Sequence, residues 1–337
     1  MSSLNDLPSL PLPSGRHLGA DETDRRLTLT LDGQVLIRLR VERGTDVRLS
    51  IDEGEAPPDD KALWAACYWL FARDESCQRL VWQLSLPRRE ALVSGLLLPT
   101  PVAGEYTCER TLFWQLPQPW LVGAGGRSYP EQMVFSAGKR HPRRAPKPQG
   151  EVYRRFDARL GAWVSLRTVD TDKDVERFNR WQNDPRVSAF WQEQGDLEQH
   201  RQYLSKLRDD PHTVTLIGCF DDEPFAYFEA YWAKEDRIAP FYDVDDYDRG
   251  IHMLVGEQKH RGPHKVASWL SALVHYLFLD DPRTRRVVAE PRADNAKMIG
   301  HLHNQCFHCQ KEFDFPHKRA AMMILGRERF FERCTLR

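Results

Sequence analysis

No apolar run in the chain approaches the roughly 18 residues that a membrane-spanning helix needs, so a helical membrane protein is excluded. An excess of one charge is also missing. Lys and Arg number 48 against 49 Asp and Glu, a formal net charge of -1. That balance supplies no general attraction to nucleic acid or to an anionic membrane. Cysteines are few, and their number, seven, is odd, so they cannot all pair within the chain. The opening MSSLNDLPSLPLPSGRHLG lacks the basic and apolar stretches of a secretory signal. Both features point to reduced thiols in a cytoplasmic protein. What is present is core material: 41% hydrophobic and 11% aromatic residues, ten of them Trp. Spread over 337 residues, this fits two folded domains.

Residues 1–20 are rich in Pro and Ser and read as a disordered arm. Residues 121–150 carry glycines and then a Pro-laced basic run from Lys139 to Lys147, the composition of an extended linker. Beyond it, element types alternate. Strands are expected at 163–167, 213–220, 225–232, 250–255, 286–290, 308–315 and 320–325, and helices at 172–182, 197–207 and 295–306. Val266, Trp269, Leu270, Leu273, Val274, Leu277 and Phe278 recur at helical spacing, which predicts an amphipathic helix packed on a sheet. This order describes an α/β layer architecture with a mixed central sheet flanked by helices. The segment from Trp69 to Val81 resembles the one from Tyr276 to Val288 at an offset of 207 residues. Residues 21–120 therefore read as a degenerate copy of the domain at 151–337. At that offset His252 maps to Thr45 and Asp294 to Pro87, and the loop 51–61 is acidic, so the first copy is expected to lack catalysis.

The chemistry is concentrated where the strand ending at Val255 meets the amphipathic helix. The connecting stretch runs Gly256-Glu257-Gln258-Lys259-His260-Arg261-Gly262-Pro263-His264-Lys265. A glycine-containing loop feeding a helix N-terminus is an anion site, because unpaired N–H groups and the helix dipole both favour phosphate. Lys259, Arg261 and Lys265 add formal charge. The stretch lacks GxxxxGK[ST] and GxGxxG, so it matches neither nucleotide-binding pattern.

The sequence Lys259-His260-Arg261-Gly262-Pro263-His264 resembles the pyrophosphate loop of the GNAT acyltransferases, and Gly262 matches its central glycine. The blocks at 227–232, 248–252, 255–257 and 290–295 are similar, in order, to the siderophore-biosynthesis branch of that family. The resemblance covers about residues 163–331. It implies a GNAT fold, tandem here with the degenerate first copy, and direct transfer of an acyl group from acetyl-CoA to an amine without a metal. The implied acceptor is the N-hydroxylated side-chain amine of an amino acid or diamine, and the product is a siderophore hydroxamate. Siderophore synthetases are the partners that this implies.

By the same resemblance the catalytic residues are His252, as base, and Asp294, which either contacts the N–OH or orients the imidazole. A histidine titrates in the useful range for such a task. Asp294 and Asn295 also suit a helix cap. Acyl-CoA contacts are expected from Met253, Leu254, Val255, Lys259, His260, Arg261, Gly262, His264, Lys265 and Asn295, with backbone N–H groups of 253–255 polarising the thioester. Glu229, Trp232 and Asp248 are the candidate acceptor-site residues. Cys306-x-x-Cys309, near His303 and His308, supplies only half of a zinc site. Two other readings compete: a GNAT enzyme for a different amine, and an inactive GNAT scaffold in siderophore assembly.

Overall fold

The computed structural model describes residues 9–85, 89–123, 126, 128–333 and 336. The chain divides into two compact units, one built mainly from residues before Trp120, the other from Trp120–Arg154 and from Trp163 onward.

The first unit holds an eight-stranded sheet of β1 (Ser9–Pro11), β2 (His17–Glu22), β3 (Arg26–Leu31), β4 (Gln34–Arg43), β5 (Val47–Ile51), β6 (Arg79–Gln83), β7 (Leu98–Pro99) and β8 (Glu105–Glu109). The spatial order is β1-β2-β3-β4-β5-β6-β8-β7. Its helices are α1 (Asp60–Arg73), α2 (Arg89–Val93) and α3 (Arg110–Phe113). Leu10 and Leu18 are fully buried, so residues 9–20, expected as part of an arm, instead supply the edge of this sheet. Alternation of buried Leu, Ile and Val with more exposed polar residues along β3 and β4 shows why they pair: one face has a core to cover.

The hairpin β9 (Met133–Ser136) and β10 (Lys139–Pro142) precedes the second sheet. That sheet contains β11 (Glu151–Asp157), β12 (Ala162–Thr168), β13 (Thr213–Phe220), β14 (Glu223–Trp232), β15 (Arg249–Val255), β16 (Arg286–Ala289), β17 (His308–Phe315) and β18 (Lys318–Gly326). Its order is β11-β12-β13-β14-β15-β16-β18-β17, strand for strand that of the first sheet. The helices are α4 (Thr171–Gln182), α5 (Pro185–Trp191), α6 (Leu197–Asp209), α7 (Pro263–Asp280), α8 (Ala296–Asn304) and α9 (Arg327–Arg333). The predicted apolar stripe of α7 is buried from Val266 to Phe278. Among the described residues, no helix is long and apolar enough to cross a membrane.

The basic stretch expected as an extended linker is docked on the second unit. Arg144 grips Glu235 through two bonds, 2.5 and 2.7 Å. Lys139 Nζ donates to the carbonyls of Glu235 and Asp236. Lys147 Nζ donates to four carbonyls, those of Leu207, Arg208, Asp210 and Thr213, at 2.7–2.9 Å, around the C-terminus of α6. A cation placed there satisfies orphan carbonyls and the negative end of the helix dipole. Composition shows the charges but not these tertiary partners.

One difference between the sheets builds the site. In the first unit β5 and β6 run parallel through four pairs, from Val47↔Leu80 to Ser50↔Gln83. In the second, β15 and β16 pair only at Arg249↔Val287 and Gly250↔Val288 and then diverge. The edge of β15 from Ile251 to Val255 is left open toward β16.

Candidate active site

Three side chains close across that divergence. His252 on β15 stands opposite Glu229 on β14 in the antiparallel register, and its Nδ1 lies 2.8 Å from Glu229 Oε2. Its Nε2 lies 2.6 Å from Oε1 of Glu290, which follows the end of β16. Glu229 Oε1 also accepts from Tyr203 and Tyr227, at 2.6 and 2.9 Å. Glu290 Oε2 accepts from Tyr231 at 2.9 Å. The His252 side chain is 22% exposed, whereas Glu290 is fully buried. The edges of Trp191 and Tyr231 approach the imidazole.

Both ring nitrogens therefore face carboxylates, and the ring is held as an imidazolium. Burial alone would lower its pKa, but the Glu290 charge and the two hydrogen bonds outweigh it and raise His252 to about 10. Burial opposes ionisation of Glu290 too, yet the facing imidazolium brings it down to about 2. Glu229 is lowered for the same reason. Burial and the adjacent carboxylates push the hydroxyls of Tyr203, Tyr227 and Tyr231 up, so they remain donors.

Beside this clamp lies a cleft of about 200 Å³, lined by Arg186, Val187, Phe190 and Trp191 of α5, by Met253–Val255, by Arg261–Pro263 and Val266, and by Asn295, Lys297, Met298 and His301. The carbonyls of Met253 and Val255 accept from Trp191 and Arg186, not from β14. In an antiparallel strand a residue's N–H and C=O point to the same side, so the Met253 and Val255 N–H groups also face the open edge. Gly262, with φ +124°, starts α7 without a side-chain cap, which leaves first-turn N–H groups available to an anion. The exposed guanidinium of Arg261 and the exposed ammonium of Lys297 are in no salt bridge among the described residues. Strand donors, an uncapped helix start and two free cations fit the thioester arm and pyrophosphate of acyl-CoA.

The remaining predicted residues, apart from Asn295, which also lines the cleft, fall elsewhere. Lys259 is paired with Glu223. His260 is buried against Phe220 and Phe225, and Lys265 turns toward His260 and the Lys259 carbonyl. His264 is exposed on the first turn of α7. Asn295 caps α8, accepting from the Met298 N–H. The carboxylate of Asp294 is 63% exposed and pairs with Arg292 rather than with His252. Trp232 projects from the face of β14 opposite Glu229, three residues away in a period-two strand. There it is stacked between the guanidiniums of Arg144 and Arg249, each 4.1 Å from its ring. Asp248 is buried in a bond to Tyr242 and an ion pair with Arg286, a structural clamp instead of an acceptor contact. Glu290, α5 and Lys297 belong to this candidate site and were not among the residues expected from the sequence. Asp184-Pro185, a cap followed by a first-turn proline, was a readable signal for α5. Among the described residues, the metal-ligating group that clusters is His141, His212 and Glu235, where the buried Arg144 already neutralises the carboxylate.

Residues 170–315 match the acetyltransferase (GNAT) domain family. The N(6)-hydroxylysine O-acetyltransferase of Escherichia coli is 50% identical over 224 residues, 66% of this chain and 70% of that protein. A hydroxyornithine transacylase of Ajellomyces capsulatus is 36% identical over 323 residues, 83% of this chain and 74% of its own. This chain belongs to the siderophore branch of the GNAT acyltransferases. An uncharacterized protein of Bacillus halodurans shares the fold in a crystal structure, with a TM-score of 0.53 and 30% identity over 55% of this chain and 95% of its own. As a GNAT acyltransferase the chain uses acyl-CoA.

Strand register also gives the first unit's counterparts of these residues. Leu80 and Val287 are equivalent at an offset of 207, but Val47 and Arg249 at 202; the shorter α1, with 14 residues where α7 has 18, accounts for four of the five residues between the offsets. His252 therefore corresponds to Ser50, not to Thr45. Glu290 corresponds to Gln83, and Glu229, through the Arg40↔Ser50 pair, to Arg40. None of the three counterparts is a histidine or a carboxylate, and the Ser50↔Gln83 ladder pair closes the divergence. Pro87 lies outside the described residues.

Proposed function

We propose that this GNAT enzyme acetylates the hydroxylated side-chain nitrogen of an amino acid or diamine, giving the hydroxamate that a siderophore synthetase would consume. The observation that carries this is the Glu229–His252–Glu290 clamp standing at the open edge of β15. A hydroxylamine is weakly basic and largely neutral near pH 7, so the site need not deprotonate an ammonium first. It must orient the nitrogen and take its proton as the C–N bond forms and the thiolate leaves. Met253 and Val255 N–H groups are aimed where the thioester oxygen gains charge. Glu229 fixes the imidazole, and the proton passes to the His252–Glu290 pair. Since His252 rests as an imidazolium and Glu290 is fully buried, the transfer is a relay in which His252 hands its Nε2 proton to Glu290 as the imidazole takes the proton of the substrate nitrogen, and the expected role of His252 as a lone base changes accordingly. The six described cysteines are free thiols, which suits a cytoplasmic setting.

The test measures thiol release from acetyl-CoA with N-hydroxylated and plain amines, together with ferric-complex colour. Nitrogen transfer gives an iron-binding hydroxamate, whereas oxygen transfer does not. Thiol release without the ferric colour, or with plain amines only, rejects the proposal. In calorimetric titration, Arg261→Ala is expected to weaken acetyl-CoA binding about tenfold and to flatten its salt dependence. Lys259→Ala, whose ammonium is already on Glu223, is expected to stay within about twofold.

A further inference from the structure

The start of β18 and the loop after β14 each bring one cation to the edge of the clamp, Lys318 and Arg237. Lys318 Nζ donates to the main-chain carbonyl of Glu290 at 2.7 Å and lies 5.5 Å from the centre of the Phe315 ring. The guanidinium carbon of Arg237 lies 5.4 Å from the centre of the same ring, and His317 stacks on it at 5.5 Å. Phe315 packs in one apolar cluster with Tyr231, whose hydroxyl binds Glu290. Neither Arg237 nor Lys318 forms a salt bridge among the described residues, although this surface pairs most of its arginines. The buried Glu290 and Asp236 carboxylates act on Lys318 from a distance, but among the described residues neither cation has a carboxylate within ion-pair reach, and two such neighbouring cations favour an anion that joins them. Next to Arg237, the Asp236 carboxylate accepts one hydrogen bond, from the Ile238 N–H at 2.9 Å. Burial, and then the Glu290 charge, raise its pKa.

We propose that Arg237 and Lys318 form a carboxylate subsite that receives the α-carboxylate of an amino-acid acceptor, with Asp236 receiving its α-ammonium. The inference rests on the acyl transfer proposed above and narrows its acceptor from hydroxylated amines in general to hydroxylated α-amino acids. A diamine of the same length reaches the clamp but leaves both cations unmatched. A second source of the same chemistry is the distal carboxylate of a dicarboxylic acyl donor such as succinyl-CoA.

Steady-state kinetics with acetyl-CoA compare N6-hydroxylysine with N-hydroxycadaverine, its decarboxylated counterpart. The wild type is expected to favour the amino acid at least about tenfold in kcat/KM. Arg237→Ala should raise the KM for N6-hydroxylysine about 10- to 100-fold with kcat little changed, and leave N-hydroxycadaverine within about threefold. Lys318→Met should act in the same direction, and Arg237→Lys should recover part of the loss. An unchanged acetyl-CoA affinity verifies that each variant is folded. Equal wild-type turnover of the two acceptors, or equal losses on both in Arg237→Ala, overturns the subsite while leaving the acyl transfer standing. A loss confined to succinyl-CoA as donor assigns the cations to the donor and overturns it as well. Turnover of neither acceptor by the wild type rejects the reaction itself and the subsite with it.

Discussion

Glu290→Gln is expected to lower kcat for a hydroxylated amine by about 10²–10⁴-fold while acetyl-CoA binds within about twofold of the wild type. The substitution keeps the shape and a hydrogen bond to His252 but removes the charge that makes Glu290 a proton acceptor. Its amide sits in the same buried space, under Tyr231 and against Nε2, so a loss of rate reports chemistry rather than repacking. His252→Gln should cost about as much, and the double variant little more than either, because groups acting as one unit are not additive. Asp294→Asn provides the contrast. Its carboxylate is exposed and committed to Arg292, and kcat is expected to stay within about threefold. Pre-steady-state thiol release with saturating acetyl-CoA measures all four. A Glu290→Gln enzyme near wild-type rate, beside an inactive Asp294→Asn, would move the proton acceptor to Asp294.

Local rules made some of the site readable and left the rest hidden. The helix at 263–280 follows from apolar spacing alone, and the anion-site reading of 256–265 follows from the rule that helix starts carry orphan N–H groups. Arg261 and Gly262 do line the cleft. Lys259 and Lys265 share their charge and neighbourhood but are turned to Glu223 and His260. Which basic side chain stays free depends on the β13–β14 turn, more than thirty residues upstream. Glu229 and Trp232 looked equivalent as neighbours on one strand, and period-two geometry sends them to opposite faces. Glu290 was present within a family-like block, yet its importance comes from the early parting of β15 and β16, which sequence pattern does not encode. The repeat was visible where α1 and α7 end, at the 207-residue offset, and misaligned upstream, where an α1 four residues shorter makes most of the change in offset to 202.

The clamp also sets how stability responds to pH. His252 is raised from 6.5 to about 10 in the folded protein, so the stabilisation it supplies is fully present below about pH 6.5. It is lost as pH climbs toward 10 and the imidazolium deprotonates. Glu290 is depressed from 4.5 to about 2, so its contribution is present above about 4.5 and lost as the pH falls toward 2. Between those limits, at about pH 4.5–6.5, both contributions are whole. His252→Gln removes the central cation and leaves two buried carboxylates facing a neutral amide. Breaking a buried pair from one side costs about 3–5 kcal/mol, and the loss should be greatest near pH 6.5 and shrink as the pH climbs toward 10, where the wild type gives up the same contribution. On acidification the unpaired carboxylates of the variant take up protons more readily than in the unfolded chain. The variant should therefore recover stability below about pH 5, where the wild type begins to lose it. Urea unfolding from pH 4 to 9 reads both slopes, and the difference between the proteins removes contributions from the remaining titrating groups. Parallel curves for the two would mean that His252 is not held as an imidazolium between Glu229 and Glu290. The proton would then go directly to a neutral imidazole, and Glu290→Gln would lose much of its expected effect.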